Sequence, residues 1–84
     1  AALPDPEEAR RKQEKLETLM HELQREKSEL ETRLATPLPP QEIGTIGSAM
    51  HELDEELAAH EEEWLALSEE IETIERALRR EDSI

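Results

Sequence analysis

From residue 43 to residue 78 the apolar positions keep a steady rhythm. Ile43, Ile46, Met50, Leu53, Leu57, His60, Trp64, Leu67, Ile71, Ile74 and Leu78 follow one another at alternating spacings of three and four, and only His60 is polar. A repeat averaging about 3.5 residues lines these side chains along one stripe of a helix, and such a stripe is buried against another helix. A second, weaker seam precedes it: Ala9, Gln13, Leu16, Met20, Leu23, Lys27, Leu30 and Leu34, interrupted by Gln13 and Lys27.

Between the seams lies Thr36-Pro37-Leu38-Pro39-Pro40. Three prolines so close together cannot continue a helix, although Pro40 can open the next one. Asp5-Pro6-Glu7-Glu8 is a helix start: a capping carboxylate, a proline suited to the first helical position, and acids where the dipole favours them. The pattern therefore predicts a leader over 1–5, helix 1 over about 6–35, a loop over 36–40, helix 2 over about 40–80 and a loose tail over 81–84. Gly44 and Gly47 each weaken the start of helix 2 by about 1 kcal/mol relative to Ala, so fraying or bending is expected there. They would also let the loop meet the helix, or let a partner's backbone approach.

A short loop between two seamed helices implies an all-α, two-helix antiparallel coiled-coil hairpin forming a single domain. Two alignments fit. In one, Leu34 faces Ile46 and Leu16 faces Trp64. In the other, slipped by a heptad, Leu34 faces Leu53 and Lys27 faces His60. Pairing two polar seam residues would favour the second, but the short loop favours the first, and the first is expected.

Composition agrees with a hairpin rather than a layered globule. The 84 residues include one aromatic, Trp64, and 39% are charged. So thin a core leaves the hairpin marginal, self-associating or dependent on a larger body. Cys is absent, which removes disulfides and thiolate metal sites and fits a cytoplasmic setting. No apolar run is long enough to span a bilayer, so no membrane role is expected. The N-terminus has neither a signal-peptide pattern nor an initiator Met, and the chain reads as a piece of something longer.

Charge divides the chain unevenly. Residues 1–39 carry nine acids and seven bases; residues 40–84 carry fourteen acids and three bases, within a net charge of −13. Long-range repulsion from nucleic acid and anionic membranes follows. Even so, Arg10, Arg11, Lys12 and Lys15 near the start of helix 1 and Arg76, Arg79 and Arg80 near the end of helix 2 converge at the open end of a hairpin. These seven are the candidate phosphate-contacting residues. Against that stands the reading of an ordinary solvated face, since Glu7, Glu8, Glu14, Glu69, Glu70, Glu72, Glu75, Glu81 and Asp82 are interleaved with them.

Other chemistry is sparse. Trp64 lies on the seam and is expected to pack against helix 1, with surface docking as its alternative. His60 reads as a tolerated polar seam residue rather than a pH switch. Glu56 and His60 have the spacing of a metal pair, which any Glu-rich helix produces by chance, so no metal site is expected. No nucleophile–base pair is visible, and the segment is expected to be non-catalytic.

The stretch Glu56-Leu57-Ala58-Ala59-His60-Glu61-Glu62-Glu63-Trp64-Leu65-Ala66-Leu67-Ser68-Glu69-Glu70-Ile71-Glu72 resembles the last helix of Uup-like ABC-F proteins, duplicated ATP-binding-cassette ATPases without membrane spans. Their terminal hairpin often carries E-L-x-x-x-E-x-x-W-x-x-L-x-E-x-x-E in its second helix. The resemblance extends over about residues 9–78, with its specificity in 56–72. It implies an interaction domain joined to parent ATPase domains, with ribosome/RNA as first partner and DNA as second, or a domain that modulates the ATPase body. Family hairpins that bind DNA tend to be basic, and this acidic chain departs from them. The chain has no G-x-x-x-x-G-K-[ST] loop, so ATP and every other cofactor are expected to lie outside it. The rival reading is a stand-alone structural or dimerisation coiled coil.

Overall fold

The computed structural model describes residues 5–82. Two helices fill almost all of that span: α1, Pro6–Leu34, and α2, Pro40–Asp82. They run antiparallel as a hairpin 68 Å long and 16 by 15 Å across. The radius of gyration is 19.4 Å, whereas a compact domain of this length would have about 12 Å. The all-α hairpin expected from the two seams is therefore the architecture observed.

Each helix end has a local cause. The Asp5 side chain accepts a hydrogen bond from the Glu7 N–H at 2.9 Å, and Pro6 occupies the first helical turn where its missing donor costs nothing. At the other end of α1, the Ala35 N–H donates to the carbonyls of Glu31 and Thr32, and the Thr36 hydroxyl donates to the Arg33 carbonyl at 2.7 Å. The prolines at 37, 39 and 40 then stop the helix. The Pro39 carbonyl accepts from the N–H groups of Glu42 and Ile43, which closes the first turn of α2.

Three cross-helix contacts define the alignment. Gln13 reaches Ser68, Glu17 reaches Trp64, and Lys27 reaches Asp54. They fit the alignment in which Leu16 meets Trp64 and do not fit the slipped one, so Lys27 is paired with Asp54 and not with His60. Ala9, Leu16 and Leu67 form a buried cluster with Trp64 and Ile71 packed on it. Leu53, Leu57, Ile74 and Ile46 continue the buried line along α2, and Ile46 is only 3% exposed.

The core is thin. No described side chain is fully buried. The surface of 6629 Å² exceeds by about 1,500 Å² that of a compact protein of this mass. Two seam residues remain exposed at the tip, Leu34 at 38% and Ile43 at 48%. Ile43 joined the seam by spacing alone. In this alignment it stands level with the loop, where α1 no longer covers it.

At the start of α2, where fraying or bending is expected, the helix is continuous from Pro40 through both glycines, neither of which has a positive φ. The propensity penalty is local, while burial of Ile46 between the two glycines favours the helix. Glu81 and Asp82, expected in the tail, belong to α2; arginines at 79 and 80 suit that C-terminal end. Residues 1–4 of the expected leader and 83–84 of the tail lie outside the described residues.

Candidate functional site

The open end gathers the candidate basic residues. All seven, Arg10, Arg11, Lys12, Lys15, Arg76, Arg79 and Arg80, are solvent-exposed. The link across the helices is Arg10, which donates to both Glu7, at 3.0 Å, and Glu75. Hydrogen bonding from Glu7, opposed in part by desolvation and aided by Glu75, raises the Arg10 pKa. Arg76 pairs with Glu72 one turn earlier at 3.0 Å. So Arg10 and Arg76 already have carboxylate partners, one of which belongs to the opposite helix, and Arg79 is engaged as well. Such exposed pairs are worth little to stability, but they reduce the positive field that phosphate would meet.

The two polar seam residues of α1, Gln13 and Lys27, have polar partners on α2. The Gln13 amide donates to the Ser68 hydroxyl at 2.5 Å and to the Trp64 carbonyl at 3.3 Å. Lys27 extends to the Asp54 carboxylate at 2.7 Å, with 28% of its side chain exposed. The hydrogen bond and charge of Asp54 raise the Lys27 pKa. Its aliphatic stem thus stays on the seam while its ammonium reaches solvent.

Trp64 has two environments. One part of the indole packs on the core cluster. Its Nε1–H donates to the Glu17 carboxylate at 3.0 Å. The remainder lines a groove of about 380 Å³ between the helices, with Met20 as the other large apolar wall and Glu17, His21, Gln24 and Glu61 completing the lining. Glu61 makes no hydrogen bond or ion pair among the described residues. Sequence reasoning placed Trp64 on the seam but missed the groove. Its rim residues flank the seam, and they come together only once the alignment of the helices is known.

The other features single out no chemistry. His51 lies 3.1 Å from Glu55 one turn away, and no cluster of three or more potential metal ligands occurs among the described residues. A Cβ added at Gly44 or Gly47 would meet nothing within 4 Å, so the hairpin itself does not require either glycine. No helix of the described residues is long and apolar enough to cross a membrane.

Comparison with known proteins adds one finding. The family model of the ABC transporter C-terminal domain matches residues 7–69, about three quarters of the chain. The matched stretch takes in all of the Trp64 groove and stops short of Arg76, Arg79 and Arg80. No curated protein and no solved structure matches the chain significantly.

Proposed function

The chain belongs to the ABC transporter C-terminal domain family, and we propose that it is the non-catalytic interaction arm of a Uup-like ABC-F ATPase. The observation that carries this reading is the hairpin's shape together with its family: a rod 68 Å long in the family of ABC transporter C-terminal domains. Nucleotide would be bound and hydrolysed by the parent's other domains. The arm's contribution would be reach: it extends a recognition surface several tens of ångströms from its attachment. The absence of a membrane-crossing helix among the described residues is compatible with work in the cytoplasm.

Charge favours a protein partner over a nucleic acid. The net charge is −13, and Arg10 and Arg76 are engaged by Glu7, Glu75 and Glu72. The arm is therefore assigned to a protein surface, either on the ribosome or on the body of its own ATPase. Ribosomal RNA is a second reading, supported by Arg11, Lys12 and Lys15, which have no carboxylate partner among the described residues. DNA has the least support.

Sucrose-gradient sedimentation of the native ATPase, trapped with a slowly hydrolysed ATP analogue, tests the assignment. Comigration with ribosomes that is lost when the hairpin is deleted supports the ribosomal arm. Comigration that survives deletion refutes it. ATPase activity altered by the deletion, with no ribosome association, would place the contact on the ATPase body.

A further inference from the structure

We propose that the groove beside Trp64 receives an arginine side chain presented by a protein partner. The inference rests on the reading of the hairpin as an arm that contacts protein, and it names the chemistry of that contact.

Three properties of the groove converge on a guanidinium. First, its walls are the indole of Trp64 and the thioether chain of Met20. A cation held over an indole within about 6 Å is attracted by the ring's quadrupole, and arginine does this more often than lysine. Met20 and the apolar side of Trp64 would cover the aliphatic stem of the incoming residue. Second, the rim carries two carboxylates from opposite helices, Glu17 of α1 and Glu61 of α2. One Glu17 oxygen accepts from the indole N–H, which holds that carboxylate beside the ring. Glu61 has no partner within the described hairpin. Two carboxylates beside one groove suit the planar, multiply donating guanidinium. Third, the size fits: about 380 Å³ lies at the small end of ligand sites, room for one long side chain.

Other occupants fit less well. An apolar side chain would partly desolvate both carboxylates and leave Glu61 without a partner, which is costly. A phosphate would face both carboxylates at close range. A second copy of the hairpin would have to overcome the repulsion between two strongly acidic chains. His21, the only imidazole on the lining, is exposed.

The test uses this chain and an amphipathic helical peptide bearing arginines along one face, compared with the same peptide carrying citrulline at those positions. Trp64 is the only tryptophan, so its emission and the NMR signal of its Nε1–H report on the groove alone. The arginine peptide should move the Nε1–H resonance saturably, and the citrulline peptide should not. Glu61→Gln should weaken binding roughly three- to fivefold, the range of a partly exposed ion pair. Glu62→Gln, which removes the same charge outside the groove lining, should change it less than about twofold. Equal losses in the two variants would mean diffuse charge attraction and would overturn the proposal. Equal binding of the citrulline peptide would overturn it as well, as would a Trp64 signal that shifts only with the concentration of the chain itself, the mark of a second copy. This titration needs neither ATPase nor ribosome, so it can succeed where the ribosomal assignment fails. Ribosome comigration can likewise persist if the groove proves not to bind arginine.

Discussion

Gly44→Ala and Gly47→Ala should stabilise the hairpin. Both glycines lie inside α2 with helical backbone and no positive φ. A Cβ at either position meets no atom within 4 Å, so the substitution neither clashes nor gains packing. What remains is backbone entropy: alanine loses less conformational freedom on entering a helix, by about 0.8–1.0 kcal/mol per site. Each gain is a local backbone-entropy term and neither Cβ touches a neighbour, so the double variant should gain up to roughly 2 kcal/mol. For a domain of this size each kcal/mol raises the melting midpoint by about 4–8 °C, and the pair should raise it by roughly 10 °C. Thermal and urea unfolding followed by far-ultraviolet circular dichroism would measure this. An unchanged or lowered midpoint would refute the reasoning, because it would mean that the start of α2 is not helical or that the turn needs glycine's freedom.

Further outcomes follow from the seam. Leu16→Ala, at a residue 6% exposed in the main cluster, should cost roughly 2–3 kcal/mol in urea unfolding, near the low end for buried leucines because the thin core can partly collapse. Lys27→Leu should stabilise by about 1 kcal/mol by adding apolar burial to the seam at the expense of an exposed ion pair; loss of stability would show that the Asp54 pair matters more than the seam. Because Asp54 raises the Lys27 pKa in the folded state, the pair's stabilisation is fully present below the ordinary lysine pKa. It is lost as pH rises through the raised folded value. Lys27→Gln should therefore reduce the alkaline loss of stability, as read by the melting midpoint against pH, and an unaltered profile would exclude the linkage. Reversing Arg10, Arg11, Arg79 and Arg80 to Glu should leave fluorescence anisotropy with structured RNA unchanged at moderate salt if protein is the partner; a large, salt-sensitive loss would restore the RNA reading.

Much of this architecture is legible from spacing. The seam of α2 identified Leu53, Leu57, Leu67 and Ile74, all buried, because a helix packed on one partner buries one stripe. The prolines at 37, 39 and 40 located the reversal for equally local reasons. What spacing left open was the alignment, since a heptad slip preserves every seam position. The contacts that settle it, Gln13 with Ser68 and Lys27 with Asp54, each join an interruption of the first seam to a polar flank of the second. Gln13 and Lys27 weaken the apolar pattern, yet they carry the cross-helix polar contacts. The Trp64 groove was illegible for the same reason: Glu17, Gln24 and Glu61 become neighbours only in this alignment. The continuity of α2 through Gly44 and Gly47 was not legible because propensity is a local term and the burial of Ile46 is not.

The central claim is that this hairpin is the arm of an ABC-type ATPase. Its most direct test is the mass and peptide map of the native polypeptide captured from cells with an antibody to this segment. A chain of ATPase size, with two phosphate-binding loops ahead of the hairpin, is the predicted result. A small polypeptide close to this length would contradict the claim and leave a self-standing coiled coil.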